Sequence, residues 1–121
     1  MKISASKYEY IAVIGLGYVG LPLAIEFGKK YKTIGFDLNK KRISALKKGI
    51  DSTLEVDKDA FLSAKYLSFT NKYSNIGKCN DYIIAVPTPV DQFNNPDLSS
   101  LISASKTVGK VLKKGDIVIY E

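Results

Sequence analysis

The residues best suited to chemistry here are glycines: Gly15-Leu16-Gly17-Tyr18-Val19-Gly20 follows an apolar run, Tyr10 to Gly15, and opens a segment of helical spacing. Each glycine has a mechanical reason. Gly15 allows a sharp turn, Gly17 lets backbone approach a ligand, and Gly20 lets the helix pack close to the sheet. The free N–H groups of a helix amino end, with the positive end of its dipole, then form a seat for phosphate. An acid, Asp37, closes the next apolar run. At that place a carboxylate accepts hydrogen bonds from ribose hydroxyls and repels a 2′-phosphate, so the pattern points to a dinucleotide, NAD rather than NADP. A charged hydrogen bond of this kind contributes roughly 1.5–3 kcal/mol. Lys40, Lys41 and Arg42 qualify the choice, because arginine also serves a 2′-phosphate. Asp37 as a plain cap for the next helix is the structural alternative.

Two other groups call for a reading. Val86-Pro87-Thr88-Pro89 closes a strong buried run, Asp81 to Val86, where two prolines fix the backbone and Thr88 offers a hydroxyl. Cys79, the only cysteine, precedes that run; this places the thiol at the amino edge of a sheet, away from the crevice, as an inert, partly buried group. It also excludes an internal disulfide framework and fits a reducing cytoplasm. No metal-ligand pattern and no catalytic group is expected.

The elements that must position these residues alternate. Strands are expected at Tyr10–Gly15, Thr33–Asp37, Tyr66–Thr70, Asp81–Val86 and Ile117–Tyr120. A helix runs from about Val19 to Tyr31, with Pro22 tolerated in its first turn. Asn39 caps a second helix that stops at Gly49. Asp51 to Ala64 is acidic, then weakly helical. Val90 to Pro96 is loop, and Asp97 or Ser99 caps a helix with Leu98, Leu101, Ile102, Ser105, Val108 and Leu112 on its apolar stripe. Such alternation implies an α/β, Rossmann-type doubly wound parallel sheet of order 3-2-1-4-5, with the ligand crevice between strands one and four.

With 121 residues there is room for a single domain and one core, residues 1–121. No apolar run approaches a membrane span, and Met1 to Tyr10 lacks the apolar block of a secretory signal. The net charge of +6 raises the question of nucleic acid. The lysines, however, come in scattered pairs expected near helix ends, where cations suit the negative end of the dipole, and no basic stretch is interleaved with stacking aromatics. A surface that attracts phosphate-bearing ligands is the simpler reading.

Ile11 to Ala24 with its Gly-Tyr-Val-Gly-Leu-Pro turn, Gly35 to Arg42, Val86 to Pro89 and the terminal Ile119-Tyr120-Glu121 resemble the amino-terminal domain of the UDP-glucose/GDP-mannose dehydrogenase family. The wording is most similar to bacterial UDP-N-acetylhexosamine 6-dehydrogenases of polysaccharide synthesis, Vi-antigen type. The resemblance implies an NAD-dependent, two-step oxidation of a UDP-sugar C6 alcohol to a carboxylate, consuming two NAD, in a cytoplasmic homodimer. Tyr18, within the glycine turn, is expected to border the cofactor by its position, and the resemblance further implies that Val19 and its turn hold the pyrophosphate. Asp37 would hold the adenosine ribose, Arg42 the adenine side, and Thr88 the region near the nicotinamide. Glu121 matches the start of the family's Glu-Ser-Thr segment. The family's catalytic cysteine, its lysine and asparagine, its dimer-forming helix and its sugar-nucleotide domain have no match, so the chain is expected to bind cofactor without turnover, as part of a larger enzyme. A non-catalytic nucleotide-sensing domain, of the kind that regulates potassium transport, is the alternative; Val86-Pro87-Thr88-Pro89 and Leu21-Pro22 favour the dehydrogenase. A methyltransferase is a third option, whose closing antiparallel hairpin is not visible.

Overall fold

The computed structural model describes residues 10–121, so the reading of a missing leader at the amino terminus lies largely outside the described residues. Five strands, β1 (Tyr10–Ile14), β2 (Lys32–Phe36), β3 (Leu67–Thr70), β4 (Asp81–Ile84) and β5 (Ile117–Tyr120), form one parallel sheet in the order β3-β2-β1-β4-β5. The expected winding is therefore observed. Among the described residues, four helices, α1 (Gly20–Gly28), α2 (Lys40–Lys47), α3 (Lys58–Ser63) and α4 (Ser99–Gly109), connect the strands, with a 3-10 turn at Tyr73–Ile76.

β1 shows why the sheet is covered on both sides. Ile11 and Val13 point into one apolar layer with Leu21, Ile25 and Leu46, while Ala12 and Ile14 point into another with Tyr82, Ala104 and Val108. Alternating side chains of an all-apolar strand thus enter two cores. Tyr82, wholly buried, satisfies its hydroxyl by donating to the Ile76 carbonyl at 2.9 Å.

Several boundaries differ from expectation, each for a visible reason. α1 ends at Gly28, short of Tyr31, because the Gly28 carbonyl accepts from the Tyr66 N–H (2.9 Å) instead of continuing the helix. A Cβ at Gly28 would press on Leu67 at 2.6 Å, so α1 can lie this close to β3 only through a glycine. β4 stops at Ile84, short of Val86, because its partner β1 ends at Ile14 and turns away at Gly15; the Ala85 N–H makes one last bond to the Ile14 carbonyl at 2.8 Å. The N-cap of α4 is Leu98, without a side-chain cap, and Asp97 Oδ1 accepts from the Ser99 N–H just before it. Its buried face is Ala104, Thr107 and Val108, whereas Leu98, Ile102 and Leu112 of the expected stripe are exposed. Thr107 tolerates burial because its hydroxyl donates to the Ser103 carbonyl at 3.1 Å. Lys40 and Lys41 also depart from the reading of the lysine pairs: they open α2, at the positive end of its dipole.

Asn39 caps α2 as expected, its side chain accepting from the Arg42 N–H at 3.1 Å. Cys79 is fully buried just before β4, and burial pushes its thiol up to about 12 against the pull of Lys113 and Lys78. No described helix is long and apolar enough to cross a membrane.

Candidate functional site: a dinucleotide cleft

The sheet's carboxyl edge opens into a cleft of about 610 Å³ at the point where the chain winds away in opposite directions from β1. Gly15, Gly17, Asp37, Arg42, Val86 and Pro87 line it together. A second hollow of about 280 Å³ adjoins it, bordered by Gly17, Tyr18, Val19, Ala85, Val86, Pro87 and Glu121. Gly17, Val86 and Pro87 border both, so the two hollows flank the same stretch of the glycine turn.

The three glycines of the turn do different work. Gly15 has φ of +97°, a region L side chains avoid, and a Cβ there would also meet Val86 at 2.9 Å. A Cβ on Gly20 would run into the Gly15 carbonyl oxygen, with Ala85 Cβ at 3.4 Å as a secondary neighbour. Gly20 is thus required first by the turn itself and only second by helix–sheet packing, which corrects the role read from the sequence. At Gly17 nothing lies within 4 Å of the Cβ position. The space a methyl would fill there is left open over the amino end of α1.

Among the described residues, the backbone N–H groups of Gly17, Tyr18 and Val19 find no backbone or side-chain acceptor. Free donors, an open approach and a helix amino end together suit a pyrophosphate. One strand away, Asp37 follows β2 and borders the cleft. Its Oδ2 accepts from the Leu16 N–H at 3.0 Å and its Oδ1 from the Asn39 N–H at 2.9 Å. Each oxygen keeps a further lone pair for a ligand hydroxyl. The cleft can thus offer carboxylate acceptors to ligand hydroxyls and free backbone donors to an anionic group.

Arg42 lines the cleft, yet its guanidinium is engaged. Nε and Nη2 both donate to the Leu16 carbonyl, at 2.9 and 2.6 Å, and Nη1 donates to Asp51 Oδ1 at 2.7 Å. The reading of the residues missed Asp51. Its carboxylate is buried and also accepts from the Thr53 hydroxyl and N–H and from the Glu55 and Val56 N–H groups. Burial alone would raise its pKa; Thr53, Arg42 and the backbone donors outweigh it and hold the carboxyl down at about 2. The one available signal was an Asp two residues before a Thr after a glycine stop, a common loop pattern.

The structure does not bring Thr88 into either hollow; it lies on an exposed stretch beside Pro87. Instead Ser99, Ser100, Ser103 and Thr107 of α4 line the cleft, residues not anticipated from the helix pattern. Glu121 sits at the other end, its N–H donating to the Ile84 carbonyl at 2.9 Å.

Comparison with known proteins agrees with this geometry. A curated relative, the UDP-N-acetyl-D-glucosamine 6-dehydrogenase of Pseudomonas aeruginosa, is 60% identical over 111 residues, covering 92% of this chain and 26% of the relative. The enzyme of the same description from Salmonella typhi is 58% identical over the same length. Among solved structures, a UDP-D-ManNAc dehydrogenase from Pyrococcus horikoshii superposes with a TM-score of 0.84 at 37% identity, over 93% of this chain and 28% of that one. The chain therefore spans about a quarter of the length of the curated relatives it matches. The family model for the UDP-glucose/GDP-mannose dehydrogenase NAD binding domain matches residues 9–121, and the chain belongs to that family as its NAD-binding domain.

Proposed function

We propose that residues 1–121 form a single cofactor domain that serves a nucleotide-sugar 6-dehydrogenase acting on a UDP-N-acetylhexosamine. The observation that carries the reading is the pairing of the open Gly17 approach with the Asp37 carboxylate at the same cleft. NAD, when bound, would supply the hydride acceptor for both oxidations, alcohol to aldehyde and aldehyde plus water to carboxylate, so two NAD would be consumed per carboxylate. The N–H groups of Gly17, Tyr18 and Val19 bind the pyrophosphate, and Asp37 orients the adenosine through its ribose hydroxyls. Arg42 stiffens the turn on the adenine side. Val86, Pro87 and Glu121 border the hollow at the nicotinamide end. The similarity to hexosamine enzymes supports this substrate class, and the sugar-oxidising groups belong to the larger part of such an enzyme. That enzyme is a cytoplasmic homodimer in this reading.

Thermal melting of the chain with NAD and with NADP tests it, because a ligand stabilises by RT ln(1 + [L]/Kd). NAD at ten times its Kd adds about 1.4 kcal/mol, and NADP at equal concentration adds less. Asp37→Ala removes most of the preference. Equal shifts for the two dinucleotides in the unaltered chain would refute the role of Asp37.

A further inference from the structure

Arg42 is the residue whose cofactor role the sequence leaves open, since an arginine beside the ribose-binding acid can also grip a 2′-phosphate. Its surroundings decide the matter. Leu16 is held at both of its peptide groups: the N–H by Asp37 Oδ2 at 3.0 Å, the carbonyl by the Nε and Nη2 of Arg42. Nη1 is taken by Asp51 at 2.7 Å and by the Ser52 hydroxyl at 3.3 Å. The arginine side chain is 9% exposed and the Asp51 side chain 0%. A two-point grip on phosphate needs two parallel N–H donors, and the guanidinium has only one hydrogen, on Nη2, without a partner. Turning it toward the adenosine would strip the buried Asp51 of its counter-charge.

We propose that Asp51 is a specificity-determining residue of the dinucleotide site: it anchors Arg42 on the Leu16 carbonyl and so withholds that cation from a phosphate on the adenosine 2′-oxygen. The inference rests on the dinucleotide reading of the cleft. Asp37 excludes the 2′-phosphate by repulsion; Asp51 does so by occupying the one arginine that could neutralise it. Both residues act through the same Leu16 residue, which couples the shape of the glycine turn to the choice of cofactor.

The test is the ratio of NADP to NAD dissociation constants, measured by calorimetry on the chain, on Asp51→Asn and on Asp51→Asn combined with Arg42→Met. Asn keeps the size of Asp51 and removes the charge that anchors the guanidinium. The ratio is expected to fall about 10-fold or more in Asp51→Asn, the effect of one new charge-assisted hydrogen bond to the 2′-phosphate, and to return in the double variant. Recovery in the double variant assigns the effect to Arg42 rather than to Lys40 or Lys41. A purely structural Asp51 would weaken both dinucleotides alike; an unchanged ratio in a folded Asp51→Asn overturns the proposal. The unaltered chain supplies a second readout if the variants fail to fold. Titration with 2′,5′-ADP leaves the Arg42 Nε–H resonance where 5′-ADP leaves it, and a separate displacement by the 2′-phosphate overturns the proposal. Absence of any NAD binding by the unaltered chain is a different result, which removes the dinucleotide reading itself.

Discussion

Gly17 and Gly20 stand three residues apart in one turn, and substituting alanine at each separates binding from folding. At Gly17 the backbone φ lies outside the left-handed region and no atom lies within 4 Å of the new Cβ. Alanine is therefore accommodated, and it stabilises by about 0.4–1 kcal/mol through the unfolded chain. For a domain of this size that is a rise in Tm of up to about 4 °C. The same methyl fills the approach to the free N–H groups above α1. Losing one charge-assisted bond to phosphate, about 1.5–3 kcal/mol, weakens NAD at least about 10-fold. At Gly20 the added Cβ collides with the Gly15 carbonyl oxygen, which is backbone and cannot swing aside. Overpacking of this kind costs about 1–3 kcal/mol, a fall in Tm of about 4–12 °C. Melting curves of both variants, with and without NAD, give all four numbers. The expected pattern is a stable Gly17→Ala whose shift with NAD at ten times the original Kd falls from about 1.4 to about 0.4 kcal/mol or less, beside a destabilised Gly20→Ala. A Gly17→Ala that melts as low as Gly20→Ala, or that keeps the full NAD shift, refutes the division of labour.

Three further outcomes are expected. Asp51 titrates near 2 in the folded chain against an ordinary 3.8, so its stabilising contribution is complete above pH 3.8 and is lost as the pH falls through about 2; the difference is worth about 2 kcal/mol, and urea melts of the chain and of Asp51→Asn between pH 5 and pH 2 will show a smaller acid loss in the variant. Cys79, wholly buried with its thiol near 12, reacts with a maleimide at pH 8 about a thousandfold more slowly than in denaturant; labelling of native protein at the denatured rate would contradict its placement. Asn39→Ala removes the side-chain acceptor for the Arg42 N–H and costs about 1 kcal/mol, read as a Tm lowered by about 4 °C, with the α2 amides the first to lose exchange protection.

Much of the fold was legible because its signals are local. An apolar β-branched run, a glycine turn and a helical spacing each involve neighbours in sequence, and a parallel sheet with right-handed crossovers leaves few ways to order five strands. The same holds for the candidate site: Gly15, Gly17, Gly20 and Asp37 announce themselves because a phosphate-binding turn needs particular backbone freedom at particular spacing. Less legible was the face α4 buries. Ala104 and Thr107 look neutral in a hydrophobicity pattern, yet they are buried against the sheet while the larger Ile102 faces outward.

What the sequence by itself determined, then, is the sheet order, the glycine turn and the acid at the end of β2, all set by backbone periodicity and turn chemistry within short windows. Tertiary structure alone decided that Arg42 is spent on Leu16 and Asp51, that Gly20 serves the turn before the packing, and that α4 residues rather than Thr88 line the cleft. The reason is physical: a side chain's partners depend on which distant atoms share its neighbourhood once both cores have closed around the sheet, and only the folded chain brings Leu16 and Asp51 within reach of one guanidinium.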